Sequence, residues 1–351
     1  MQTPTAPALP HYPALDGLRG IAVLMVMVFH SQTPLLPGGF IGVDVFFVIS
    51  GYLITTLLLA EHARKQHIDI RRFYVRRLLR LAPALLLMLL VFGLCSLFLL
   101  PAPQAMQNLR EALAALFYVS NWVRAWDVFE MPYLGHTWSL AIEEQFYLLW
   151  PLLLLLVLRH TTQPRHIALF ALGLVLWVIG YRTHLAWDAA SIERLYNGLD
   201  TRIDEILVGC LLAALVRTLA PVPAKASQAT AWLALLCFAA LCGMAFLARW
   251  TDRWMYTVGF PLISGMTAWM VFDLCHNRRS VLRHLMTVGP LVQIGRISYG
   301  LYLWHYPIYF SMYKLQYGYW AILCLGSALA LVCAMASYRF VETRFLALKP
   351  Y

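Results

Sequence analysis

Apolar runs separated by short polar stretches divide the chain at roughly 17–34, 40–61, 79–100, 137–158, 167–186, 203–219, 230–248, 255–275, 297–316 and 320–340. Each is long enough, as a helix, to cross a hydrocarbon core of about 30 Å. A further stretch, 105–122 (AMQNLREALAALFYVSNW), has Arg110 and Glu111 inside its apolar pattern and reads as an amphipathic or re-entrant helix. The expected fold is an all-α, polytopic integral membrane helix bundle, with about ten transmembrane helices plus that one amphipathic or re-entrant helix. Residues 1–14, rich in proline, read as an irregular lead, 15–345 as a single membrane domain and 346–351 as a tail. No internal repeat or separate soluble domain is visible.

Composition agrees with the pattern. Of 351 residues, 61% are hydrophobic and only 13% charged, far from the balance of ordinary soluble domains. A net charge of +10 would suggest nucleic acid in a soluble protein. Here the basic residues sit in short loops, and no nucleic-acid partner is expected. Most of the 27 lysines and arginines fall on one side if 105–122 does not cross, which puts both termini in the cytoplasm. The seven cysteines lie in or beside apolar runs, without metal-ligand spacing or a readable disulfide framework. The N-terminus lacks the basic region and cleavage site of a signal peptide.

Several charged residues interrupt these runs. Arg19 and His30 are eleven positions apart on the first run, three helical turns plus roughly 20°, so they share a face about 16 Å apart along the axis. Ionisable groups within a span usually face a partner or a cavity; the plainer alternative is an anchor with both groups snorkelling to the interfaces. In HTWSLAIEEQFYLLWP (136–151), His136, Ser139 and Glu143 fall on one helical stripe, with Glu144 about 100° away. The second run, GGFIGVDVFFVISGYLIT (38–55), carries Asp44 and glycines suited to close helix packing. DTRIDEILVGC (200–210) opens the sixth run with Asp200, Arg202, Asp204 and Glu205. His305 lies mid-run among aromatics, where a satisfied core histidine is the commoner reading, and Pro307 should kink or interrupt that helix. RRFYVRRLLRLAP (71–83) gathers five arginines at the mouth of the third run. Arg71 and Arg72 suit orientation, whereas Arg77 and Arg80, three apart, suit a phosphate-bearing ligand, because a planar guanidinium bonds two oxygens at once.

Taken in order, Arg19-x10-His30, GGFIGVDVFFVISGYLIT, RRLLRLAP, HTWSLAIEEQFYLLWP, ISYGLYLWHYPI and SYRFVETRF (337–345) resemble the membrane-bound acyltransferase 3 family over nearly the whole chain. The resemblance implies transfer of an acyl group, commonly acetyl from acetyl-CoA, to a hydroxyl of an extracytoplasmic glycan or glycolipid such as O-antigen, exopolysaccharide or peptidoglycan. Some members acylate small molecules such as macrolides instead. It implies that His30 is catalytic, with Arg19 placing the donor and Glu143 beside them, and that Arg77 and Arg80, with Arg76, hold the CoA phosphates. Asp44, His136, Ser139, Glu144, Asp200, Arg202 and His305 become the expected substrate-binding set, in the inner membrane of a bacterium. No metal is expected. Some members append a periplasmic esterase-like transferase domain; with no room for one here, a periplasmic partner is expected to supply that step. From other classes, a transporter or flippase would show related halves with interrupted helices. A metal-dependent hydrolase would need His30, His136 and His305 at ligand-type spacing. The sequence displays neither.

Overall fold

The computed structural model describes residues 12–219 and 224–349, so the predicted lead up to residue 11 and the last two residues of the tail lie outside the described part. The described residues contain helices and no strand. In order these are α1 (Pro13–His30), α2 (Gly42–Lys65), α3 (Ile70–Leu99), α4 (Ala102–Leu116), α5 (Ser120–Ala125), α6 (Trp138–His160), α7 (Pro164–Trp187), α8 (Ile192–Asn197) and α9 (Leu199–Val216). There follow α10 (Ala224–Leu247), α11 (Phe260–His276), α12 (Val281–Met286), α13 (Gly289–Arg296), α14 (Ser298–Lys314) and the π-interrupted α15 (Tyr319–Ala347). Helix α1 begins inside the predicted lead, because Pro13 at the first helical position gives up only an N–H that would have no partner there.

Eight of these helices (α1, α2, α3, α6, α7, α10, α11 and α15) are long and apolar enough to cross a membrane. The other two predicted spans are helical as well, but α9 carries Asp200, Arg202, Asp204 and Glu205 in its opening turns and α14 has 17 residues. Of the kink or interruption expected at Pro307, the interruption does not occur, since α14 continues through it. The chain is an all-α, polytopic membrane helix bundle.

The 105–122 stretch folds as two pieces, α4 and α5, divided where Tyr118 takes a positive φ of 52°. Fifteen residues of α4 span about 22 Å, too short for a core of about 30 Å. One face, with Asn108, Glu111 and Ala115, is buried, while Met106, Leu113 and Phe117 on the other are exposed. Glu111 accepts the backbone N–H groups of Tyr133 (3.0 Å) and Leu134 (2.8 Å), which ties α4 to the turn before His136.

Helices α2 and α9 pack backbone to backbone. A Cβ on Gly51 would meet the Ile206 carbonyl at 1.9 Å, and one on Gly209 the Val48 carbonyl at 2.1 Å. Neither glycine can therefore be replaced without moving a helix. That approach carries α2's Asp44 to α9's Arg202, and α9 packs in turn on α7, which brings Arg182.

Candidate active site

Two large cavities open into the bundle, with a small one between them. The first, of about 750 Å³, is lined by His30, His136, Trp138, Tyr196, Trp250, Tyr306 and other residues, with Arg124 and Arg249 among them. The second, of about 770 Å³, is lined by Arg19, Arg77, Arg80, Glu143, Arg296 and Lys349 together with tyrosines and leucines. The central void, about 50 Å³, shares Arg19, Ser50, Glu143 and Tyr299 with the arginine chamber and adds Phe46, Phe47, Ser139 and Tyr302.

In the histidine chamber, His30 ends α1 and meets α14. Its Nδ1 lies 2.9 Å from Nε2 of His305, whose Nδ1 lies 3.0 Å from the Leu301 carbonyl one turn earlier. Tyr306 presents its ring edge-on to His30 at 4.7 Å and stacks on His136 at 4.7 Å. His305 is fully buried, with the rings of Tyr302, Tyr309 and His136 each 5.6 Å away. The Tyr302 hydroxyl donates to the His136 carbonyl (2.8 Å) and shares a 2.6 Å hydrogen bond with Ser139 Oγ. This pair stands where the central void approaches the histidine chamber.

In the arginine chamber, Arg77 Nε donates to Glu144 Oε1 at 3.3 Å while its guanidinium lies over the Tyr147 ring, and Ser50 donates to Glu143 Oε1 at 2.8 Å. Lys349 lies just beyond α15. Burial, and after it the nearby charges of Arg80 and Arg76, push its amine down to about 8. Arg76 itself is exposed and does not line the chamber.

Ser139 lines the central void and Glu144 pairs with Arg77, and the other predicted residues named below divide into three groups. His30, His136 and His305 assemble at one chamber, and Arg19, Glu143, Arg77 and Arg80 line the other. Arg19 shares the α1 face with His30, as its spacing requires, yet opens onto the arginine chamber and the central void. It is too far along the helix to touch a group held at His30. The third group faces neither chamber. Asp44 and Arg202, both fully buried, belong to a network in which Arg202 bonds Asp44 (2.5 Å) and Glu205 (2.9 Å), and Arg182 grips both Asp204 oxygens at 2.6 and 2.8 Å. Asp200 pairs instead with Arg194. The sequence reading omitted Tyr302, Tyr306, Arg124, Arg296 and Lys349 from the site. Nothing in their spacing marks them, since each is a common residue at a span end or on an aromatic face. Among the described residues no group of three His, Cys, Asp or Glu side chains is disposed to hold a metal ion.

Comparison with known proteins shows the family to which the chain belongs. No solved structure matches the chain. O-acetyltransferase OatA of Staphylococcus aureus is 39% identical over 350 residues, covering 95% of this chain and 57% of that protein. Peptidoglycan O-acetyltransferase OatA of Listeria monocytogenes is 37% identical over 351 residues, covering 95% and 55%. The chain therefore spans little more than half the length of these relatives. A family model described as an acyltransferase domain matches residues 12–339, and with nearly the whole described chain inside it, the protein belongs to the acyltransferase 3 family.

Proposed function

We propose that the protein is a membrane O-acyltransferase that takes an acetyl group from acetyl-CoA in the arginine chamber and passes it to a glycan hydroxyl in the histidine chamber. The observation that carries this is the position of His30, an imidazole at the wall of a large aromatic chamber on the far side of a narrow void from a cluster of guanidinium groups. Arg77, Arg80 and Lys349 suit CoA phosphates, which take charge-assisted hydrogen bonds from guanidinium and ammonium donors. The pantetheine arm would then run along α1 past Arg19, bringing the thioester through the void towards His30. The rise from Arg19 to His30, about 16 Å, sets the distance it must cover. The aromatic walls around Trp250 and Tyr306 suit the faces of sugar rings, and one relative is named a peptidoglycan O-acetyltransferase, which makes a cell-envelope glycan our choice of acceptor.

In the reaction, His30 removes the proton of the acceptor hydroxyl as its oxygen attacks the acyl carbon. The carbon–sulfur bond breaks, and the CoA thiolate takes the proton back from the imidazole. The arginine-rich mouth of α3 favours a cytoplasmic donor chamber, with both termini on that side and the histidine chamber facing outward in a bacterial inner membrane. A periplasmic transferase that collects the acetyl group from this chain fits the same chemistry.

The test is transfer of labelled acetyl from acetyl-CoA to the glycan fraction of membranes carrying matched amounts of wild-type protein and His30→Ala. Loss of general base catalysis should cost about 10²-fold or more. Near-normal transfer by the variant would remove His30 from the chemistry.

A further inference from the structure

Resting on that reading of His30, we infer that His305 is a positioning residue that fixes the tautomer of His30, so that its Nε2 is the bare, proton-accepting nitrogen presented to the chamber. Two distances and the hydrogen-bonding rules of imidazole suffice for the argument. A backbone carbonyl can only accept, so the 3.0 Å contact between His305 Nδ1 and the Leu301 oxygen places a hydrogen on Nδ1. A neutral imidazole with its hydrogen there has only a lone pair at Nε2. The atom facing that lone pair, at 2.9 Å, is His30 Nδ1, which must then carry a hydrogen of its own. The remaining nitrogen of His30, Nε2, is left unprotonated.

The opposite assignment requires His305 to carry hydrogens on both nitrogens, with His30 accepting at Nδ1. His305 would then be a fully buried cation, and the rings around it are those of His30, His136, Tyr302, Tyr306 and Tyr309, with no carboxylate among them. An unpaired charge in that setting is strongly disfavoured. The neutral form, and with it the productive tautomer of His30, follows.

The fold keeps the relay in place. His305 is tied to its own helix one turn back, so its ring direction is set by α14 and not by a flexible loop. Three aromatic neighbours remove its rotational freedom. When His30 takes the acceptor's proton on Nε2, its Nδ1–H becomes a cationic donor and the bond to His305 strengthens, since hydrogen bonds to charged groups are about twice as strong as neutral ones. The proton taken on Nε2 leaves again with the CoA thiolate, and His305 keeps its own hydrogen throughout. Its service is the one an aspartate gives in a Ser-His-Asp triad, performed by a neutral ring and so with less stabilisation of the imidazolium.

The test uses the full chain purified in detergent, with His305→Phe, His305→Gln and His30→Ala. Phe keeps a planar ring without an acceptor, whereas the Gln carbonyl oxygen can sit where Nε2 does. The expected result is that His305→Phe lowers kcat about 10²-fold with the KM for acetyl-CoA little changed, and that His305→Gln recovers at least tenfold of the loss. Independently of turnover, ¹⁵N spectra of histidine-labelled wild-type protein, with the His30 signals assigned by their loss in His30→Ala, should place the His30 hydrogen on Nδ1. Should His30→Ala abolish transfer while His305→Phe matches wild type, the positioning role alone falls. It falls equally if Gln is as impaired as Phe, or if the wild-type spectrum puts the hydrogen on Nε2. Normal transfer by His30→Ala would instead overturn the reading of His30 as base, on which the role of His305 depends.

Discussion

Two regions of this bundle are dense in arginine and carboxylate, and they do opposite things with them. In the network of α2, α7 and α9, Arg182 and Arg202 are fully buried and each is spent on carboxylates and backbone carbonyls. In the arginine chamber, Arg19, Arg77, Arg80 and Arg296 line some 770 Å³ of open space, with Asp16, Glu143 and Glu342 as the acidic residues on its walls. The first region spends its two guanidinium groups on its own carboxylates and carbonyls and binds helices together. The second leaves positive charge facing a cavity. A charge within a span is therefore a sign of a partner, and only the surrounding space says whether that partner is another helix or a ligand.

The sharpest way to break this comparison is to remove one member of the network. Arg202→Ala leaves Asp44 buried without its cation and Glu205 with only Arg182, 3.7 Å away, and breaking a buried pair costs about 3–5 kcal/mol. We expect Arg202→Ala and Asp44→Ala to lower thermal stability and accumulation in the membrane sharply. If either variant accumulates and melts like wild type but fails to bind acceptor, the network is a substrate site and the contrast collapses.

The chamber arginines should show the reverse profile, near-normal stability with weakened donor binding. Hydrogen bonds to charged groups contribute about 1.5–3 kcal/mol, so Arg77→Gln or Arg80→Gln should raise the Kd for acetyl-CoA roughly tenfold or more. Arg71→Gln, which does not line the chamber, is the control. Lysine should replace either arginine poorly, because it keeps the charge but loses the planar fork. Equal and small effects at all three positions would reduce the cluster to an orientation signal and place the donor elsewhere.

Where hydrophobicity alone decides, the sequence was legible. Every predicted apolar run is a helix, and α4, continuous through Arg110 and Glu111, is too short to cross because it ends before the turn at Tyr118. Periodicity also put Arg19 and His30 on one face. What it could not give was the identity of the neighbours. Asp44 and Arg202 are 158 positions apart and His30 and His305 are 275 apart; one pair closes a structural network and the other builds the candidate site. Periodicity reports that a face is buried, and only the packing of α2 on α9, or α1 against α14, reveals against what. His305 had looked like a core histidine, and it is buried like one, yet its free nitrogen is spent on the candidate base.

A gentler probe of the arginine chamber is pH. Lys349 has its amine lowered to about 8 by burial and by the charges of Arg80 and Arg76. The direction fixes the sign: the ammonium is present below that pH and lost above it, so its contact with a phosphate is available only on the acid side. Acetyl-CoA affinity should therefore fall severalfold between pH 7 and 9, beyond the change expected from screening alone. Lys349→Arg, charged throughout that range, should flatten the profile. A wild-type profile already flat across this interval would take Lys349 out of the donor site.

The smallest effect is expected at a third kind of pair, neither sealed in the core nor facing a chamber. Arg194 holds both oxygens of Asp200, at 2.9 and 2.5 Å, with side-chain exposures of 18% and 29%. Water reaches these groups, so desolvation is partial and the Coulomb gain is screened. Pairs of this kind are typically worth about 0.2–1 kcal/mol. Asp200 was a candidate for substrate binding, but neither it nor Arg194 lines the histidine chamber. Asp200→Asn should accordingly shift thermal stability slightly and leave acetyl transfer within about twofold of wild type, a difference worth under about 0.5 kcal/mol. Melting curves and transfer assays on the same preparation check both halves of that expectation. A large loss of transfer with an unchanged melting curve would mean that acceptor contacts extend beyond the aromatic walls to this rim, and that partial exposure, more than cavity lining, marks the charges that work on substrate.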